Sequence, residues 1–197
     1  MLLRPLGSLL GVAAFAGVAL VVVGCEETPP PNPEGGFTVN FRDTGADCSI
    51  ASHDAAMGTV GPSGDPALTA NGSGNADVSC TIQNASGGFS VSVQLTEVAN
   101  VQVTIPSFSN ENTVDNKADG SMSYASTETG GDVYISPADP KCKFWVDTDA
   151  GQFVRAGEAW FTFECASIIS EMSDCAMGTS YIAVRNCEGA SEEEEEE

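Results

Sequence analysis

The chain has 197 residues and carries 28 acidic side chains against seven basic ones, for a net charge of −21. Nucleic acids and anionic lipid head groups are bound by basic surfaces, so this charge makes both poor partners. The chain also contains a single histidine. Histidine is the usual proton donor and acceptor near neutral pH, so only one position can supply it.

An apolar segment opens the chain. Pro5 to Gly24 contains no charge and is rich in valine, alanine, leucine and glycine, and Arg4 supplies one positive charge before it. This is the pattern of a signal peptide. An uncleaved transmembrane helix is the alternative, because about 20 apolar residues are long enough to span a bilayer. The extreme N-terminal position and the Gly-Cys end of the segment favour cleavage.

The end of this segment, Val22, Val23, Gly24 and Cys25, resembles the lipobox of bacterial lipoproteins. The resemblance implies that residues 1–24 are a type II signal peptide and that the mature protein begins at Cys25. The Cys25 thiol would carry diacylglycerol, and its amino group would usually carry a fatty acid such as palmitate. Several acyl chains anchor a protein stably, since each buried methylene contributes about 0.8 kcal/mol. A lipobox defines a mode of membrane anchoring and no activity.

Residues 25–36 follow as the lipidated cysteine and a spacer. The spacer contains four prolines between Glu26 and Gly36, and such a run is stiff and extended. In the sorting rule known for lipoproteins, Asp directly after the lipidated cysteine retains the protein in the inner membrane. Glu26 occupies this position, so the resemblance implies the bacterial cell envelope as the location, with the outer membrane favoured over the inner.

From Phe37 onward, apolar and polar residues alternate with a period of two, which is typical of half-buried β-strands. After the first strand, at 37–41, we expect strands at 76–82, 89–95, 101–105, 133–135, 141–146, 152–155, 158–165 and 181–185. Short helical turns are expected at Asp54–Met57 and Ala166–Met172, and long loops at 58–75 and 107–131. The pattern predicts an all-β fold over residues 37–189, an antiparallel β-sandwich or Greek-key barrel. Residues 190–197 form an acidic tail, which self-repulsion should keep disordered.

Cysteine counting agrees with the lipobox. If Cys25 is acylated, six cysteines remain, and an even number in an exported chain predicts three disulfides. The six are Cys48, Cys80, Cys142, Cys165, Cys175 and Cys187. A zinc site is disfavoured, because none of them forms a C-x-x-C pair and His53 is the only histidine. Six cysteines allow 15 connectivities. Closure of short loops favours Cys48–Cys80, Cys142–Cys165 and Cys175–Cys187.

Catalytic motifs are not evident in the sequence. His53 lies between Ser52 and Asp54, but adjacent residues cannot converge as a nucleophile, a base and its orienting acid. We interpret His53 as a surface residue beside a helix N-cap at Asp54. The chain has many acids, yet the sequence does not select two at the separation that a glycosidase needs. We therefore expect a protein that is not an enzyme.

One loop carries partial calcium-ligand spacing. Asp147, Asp149 and Glu158 occupy positions 1, 3 and 12 of a frame similar to an EF-hand loop. The sixth position, where the sharp turn requires glycine, is Gln152. A hairpin turn over Asp147 to Gly151 explains the same residues more simply, and we favour it. No other cofactor is indicated.

Three aromatic residues, Trp145, Trp160 and Tyr124, are candidates for a sugar-binding platform. Trp160 lies on the strand face opposite Phe161 and Phe163, so it is either exposed or covered by another layer or loop, and covering is the favoured alternative. Taken together, the sequence predicts a lipid-anchored, non-catalytic binding or structural module whose partner is an envelope protein or carbohydrate. A secreted polysaccharide hydrolase that uses paired carboxylates is the alternative.

Overall fold

A computed structural model describes residues 31–45 and 47–189. The predicted signal peptide, the predicted lipobox with Cys25 and the acidic tail lie outside these residues. The described chain forms 12 β-strands and one short 3₁₀ helix, Thr148–Ala150. The strands are β1 Glu34–Arg42, β2 His53–Met57, β3 Thr69–Ala70, β4 Asp77–Ala85, β5 Gly88–Thr96, β6 Ala99–Phe108, β7 Ala118–Ser126, β8 Tyr134–Ile135, β9 Cys142–Trp145, β10 Phe153–Arg155, β11 Glu158–Ile169 and β12 Asp174–Arg185. None of the described segments is a helix long and apolar enough to cross a membrane.

The strands form one continuous antiparallel sheet in the order β2-β1-β12-β11-β8-β7-β6-β5-β4, and β9 pairs with both β11 and β7. Four of them, β4 to β7, are a meander in which each strand pairs with the next along the chain. The other half contains the consecutive pairs β1–β2 and β11–β12 and, between them, one pairing of strands that are far apart in sequence, because β1 lies beside β12. We call these halves the meander layer and the mixed layer, the latter comprising β2, β1, β12 and β11.

The two layers pack face to face and cross. Gly35, near the start of β1, lies so close to the meander that an added Cβ would be 2.4 Å from the Leu95 side chain. Six residues later, the Phe41 ring packs 5.7 Å from the ring of Tyr124, two strands away from Leu95. β1 therefore runs across the meander strands, as in a sandwich whose layers are packed at an angle.

The layers join at two corners. At one corner β9 bridges β7 and β11. At the other, Glu188 follows β12 and forms a parallel bridge with Thr81 of β4, which its backbone reinforces by accepting from the Ile82 amide at 2.8 Å. The core between the layers is built from the alternating residues of both, and its largest fully buried side chains are Tyr124, Tyr134, Phe37, Phe41, Phe108, Phe144, Phe161 and Phe163. The predicted all-β antiparallel sandwich is confirmed.

All six remaining cysteines form disulfides, but only one predicted pair is correct. Cys142–Cys165 is present, whereas the other two bonds are Cys48–Cys175 and Cys80–Cys187. The predictions Cys48–Cys80 and Cys175–Cys187 are wrong because they assume local loop closure. The real partners are 127 and 107 residues apart, and they meet because β12 returns to pack beside β1 and its extension pairs with β4.

Several element predictions also need correction. Asp54–Met57 is not a helical turn but part of β2, and Ala166–Ile169 continues β11 as strand. The expected loop at 107–131 contains β7, whose buried positions include Ala118 and Gly120. β1 begins at Glu34, so the last three residues of the expected spacer belong to the folded domain.

Candidate functional site

The described surface contains an open groove of about 520 Å³. It lies between the turn that joins β5 to β6 and the loop that follows β7. Its walls are Glu97, Val98, Ala99, Ala125, Ser126, Thr127, Gly130 and Gly131. We call this feature the groove. Ala99 pairs with Ser126 across β6 and β7, which is why the two walls meet.

The loop wall of the groove is held by Thr129, a threonine that is only 1% exposed. Its hydroxyl accepts from the Ser126 amide at 3.1 Å and lies 2.9 Å from the carbonyls of both Ser126 and Asp132. The Gly130 and Gly131 amides donate back to Thr127 and Ser126, and both glycines have positive φ. The loop thus satisfies these polar groups through its own hydrogen bonds, without a ligand.

Beside the groove, His53 forms a polar cluster with Tyr124 and Ser126. The His53 Nδ1 atom lies 3.0 Å from the Ala51 carbonyl, so Nδ1 carries the proton, because a carbonyl can only accept. In the neutral imidazole, Nε2 is then the acceptor for the Tyr124 hydroxyl at 3.0 Å and for the Ser126 hydroxyl at 3.4 Å. The imidazole also stacks on Phe41 with ring centroids 4.7 Å apart.

This cluster differs from the sequence interpretation of His53. The residue is half-buried on β2, and Asp54 is an exposed strand residue with Arg42 3.8 Å away, not a helix N-cap. Ser52 bonds to Asp43 and does not approach the imidazole as a partner. Burial raises the pKa of the Tyr124 hydroxyl, and the carboxylates of Glu128 and Asp54 act in the same direction. Tyr124 therefore stays protonated and remains a donor to His53.

Ser126 lies next to the imidazole, as a serine nucleophile activated by a histidine would. Acyl transfer also requires free donors for the developing oxyanion, and the nearby Gly130 and Gly131 amides are already bonded within the loop. The Ser126 hydroxyl, in addition, accepts from the Thr129 amide at 3.3 Å. These hydrogen bonds connect β2 to β7 across the two layers, and they support a structural role for the cluster best.

The charge around the groove is of one sign. Glu97 is a wall residue, and Glu128 and Asp132 lie on the same loop as Thr129. All three side chains are exposed, and none of them forms an ion pair with another described residue. No lysine or arginine occurs in either segment, 96–100 or 125–133. The groove therefore presents uncompensated negative charge.

The aromatic candidates do not form a platform. Tyr124 is fully buried, Trp160 is 5% exposed and Trp145 is 8% exposed. A loop covers Trp160, whose Nε1 donates to the Gly61 carbonyl at 3.2 Å. Lys117 lies over the Trp145 ring at 4.2 Å from its centroid. The alternative that another segment covers Trp160 is the correct one.

The calcium candidates are not brought together either. Asp147 caps the 3₁₀ helix by accepting from the Ala150 amide, and Glu158 pairs with Arg155. Across residues 31–45 and 47–189, no group of three His, Cys, Asp or Glu side chains is arranged to hold a metal ion. Gln152 is buried, where it bonds to the Asp147 amide, Thr162 and the Pro62 carbonyl. Residues 147–151 form a turn, the 3₁₀ helix with its cap at Gly151, but the predicted hairpin is wrong, because β9 and β10 do not pair with each other and instead pair one after the other, in the same direction, with β11.

The groove residues carry no recognisable signal in the sequence. Glu97 and Val98 lie between two alternating segments of the sequence, and Gly130 and Gly131 lie in the stretch expected to be a loop. Nothing in a single sequence places these two turns side by side, because that requires the register of β6 and β7. Comparison with known proteins adds no relative: no family model, curated protein or solved structure matches this chain.

Proposed function

We propose that the protein is a lipid-anchored, exported lipoprotein of the bacterial cell envelope, where it serves as a non-catalytic binding or structural module. The observation that carries the proposal is the set of three disulfides. Structural disulfides form and persist in oxidising compartments, which supports export. Their use of all six cysteines after Cys25 leaves Cys25 as the odd thiol, at the position where the lipobox resemblance needs it.

The surface supports a binding role over a catalytic one. The groove combines three apolar side chains, Val98, Ala99 and Ala125, with polar Ser126 and Thr127 and charged Glu97, a mixture suited to recognition. For the hydrolase alternative, two of the candidate acids, Glu158 and Glu164, are engaged with Arg155 and Lys117. The buried tryptophans also remove the stacking surface on which a sugar chain would bind. A protein partner is thus favoured over a carbohydrate.

The test of anchoring is metabolic labelling with a radioactive or clickable fatty acid in a bacterial host. Wild type should incorporate label and migrate as the processed form. Cys25→Ala should incorporate none and accumulate as precursor, because the acceptor thiol is gone. Glu27→Gln is the matched control, since it changes the mature N-terminus but leaves the lipobox intact. Equal label in wild type and Cys25→Ala would refute the proposal.

A further inference from the structure

We propose that the groove is the docking site for a cationic, partly apolar segment of a partner protein; the inference rests on the proposed role as a binding module and specifies the partner's chemistry. The groove lies next to His53, at the far end of β1 from Asn32, near which the described chain begins. It is thus placed at the opposite end of the mixed layer from the end where the chain enters it.

Exposed apolar side chains extend beyond the groove. Val98 on its wall is 55% exposed, and Val133, two residues after Gly131, is 56% exposed. Ile135 on β8 is 51% exposed. Large apolar side chains that are exposed close together mark interaction sites. A small polyamine in the groove would leave Val133 and Ile135 uncovered, which favours a protein segment as the occupant.

The negative charge around the groove indicates a positively charged partner. The chain has seven lysines and arginines, Arg4 lies outside the described residues, and five of the other six are in ion pairs. The described surface thus has almost no free cation with which to neutralise Glu97, Glu128 and Asp132. A partner segment with lysine or arginine would be attracted by these three carboxylates, and no ion pair within this protein would have to break first. The aliphatic stem of such a side chain also fits against Val98 and Ala99.

The loop that Thr129 holds makes the groove preformed, so binding requires little ordering of this wall. We therefore expect affinity to depend on two separable contributions. Removing apolar contact should weaken binding at any salt concentration, whereas removing charge should weaken it mainly at low salt.

The experiment uses the full mature chain in detergent and a short, capped peptide of alternating lysine and leucine. Binding is measured by calorimetry, and the contact surface is mapped by methyl NMR shifts of Val98, Ala99 and Ala125. We expect Val98→Ser to weaken binding about tenfold. Glu97→Gln should weaken it about threefold and reduce its salt dependence. Peptides with glutamate for lysine, or serine for leucine, should bind at least about tenfold more weakly.

Matched controls lie on the loop between β6 and β7. Glu111→Gln and Val114→Ser remove the same groups at exposed positions outside the groove and should leave affinity unchanged. Deleting residues 192–197 should change it less than Glu97→Gln does. Equal weakening by the controls, complete loss on tail deletion, or equally tight binding of spermidine would overturn the docking site. Such a result, with fatty-acid labelling of Cys25 intact, would leave the lipoprotein proposal standing.

Discussion

The meander layer and the mixed layer bury similar apolar strands but are assembled differently. In the meander, β4, β5, β6 and β7 each pair with the next strand, and the first two turns are short. In the mixed layer, β1 pairs with β12, which comes from the other end of the domain. The first layer can form from local contacts, whereas the second must close loops that span most of the chain.

The covalent and polar cross-links follow this difference. No disulfide joins two meander strands, and each corner where the layers meet has one: Cys142–Cys165 beside β9 and Cys80–Cys187 beside Glu188. Side-chain hydrogen bonds show the same division. Gln152 reaches Pro62 across 90 residues, while Asn100 in the meander bonds to Thr96 only four residues away. Cross-links are thus concentrated where chain connectivity does not hold the structure together.

The largest effect should come from removing the long-range disulfide at one corner. In the chain-entropy relation, loops of 107 and 23 residues correspond to about 4.8 and about 3.4 kcal/mol. Replacing Cys80 and Cys187 by alanine should therefore destabilise the domain more than replacing Cys142 and Cys165. Urea unfolding of both double variants measures the difference. Equal losses, or a larger loss for the shorter loop, would show that chain closure does not distinguish the corners.

A smaller effect should follow from Gln152→Leu, at the residue before β10 whose side chain bonds to Thr162 of the mixed layer. The substitution keeps the volume approximately but leaves the Asp147 amide, the Thr162 hydroxyl and the Pro62 carbonyl without their partner. Buried polar groups without partners cost about 1–3 kcal/mol each, and partial relaxation should hold the total loss near about 3 kcal/mol. Asn100→Ala, the meander control, should cost less than about 1 kcal/mol. Thermal melts decide between them, and a control that costs as much as Gln152→Leu would contradict the comparison.

The smallest effect concerns an exposed ion pair at the β9 corner. The hydrogen bond from Lys143 holds the pKa of Asp119 below its usual value, and the charge of Lys141 acts in the same direction. A lowered pKa stabilises the fold above the unfolded-state value, and this contribution is lost as pH falls through the folded-state value. Lys143→Ala should raise the pKa of Asp119 more than Lys141→Ala does. Carboxyl NMR titration measures both shifts, and the stability change should stay below about 0.5 kcal/mol. A larger pKa shift in Lys141→Ala would contradict the hydrogen-bond explanation.

The sequence predicts the meander best where large apolar residues alternate strictly. Val78 to Ile82 and Val91 to Leu95 show this pattern, and both are strands with one buried face. β7 is not predicted by the same pattern, although its buried and exposed residues alternate, because the core positions Ala118 and Gly120 have no large side chains. Gly120 is small for a reason that only the fold reveals: an added Cβ would be 2.7 Å from the Phe144 ring.

The mixed layer and the groove are less predictable, since their contacts join distant segments. His53 lies in a short strand, and only its position opposite Phe41 brings it to Tyr124. The cysteine pairs fail for the same reason, because local loop closure says nothing about where β12 returns. Gln152 looks like a defect in a calcium loop, yet it is a buried connector whose partners come from three segments. Local pattern thus predicts local structure, and the remainder depends on register.

β1 is held by β12 on one side and by β2 on the other for most of its nine residues. A pulling force that enters the domain at Glu34 and is resisted at the Arg42 end therefore acts along the strand, parallel to both neighbours. The interstrand hydrogen bonds are perpendicular to such a force, so they are loaded together in shear instead of opening one at a time. Tension applied along β1 in this direction is thus opposed by the hydrogen bonds to β12 and β2 at the same time.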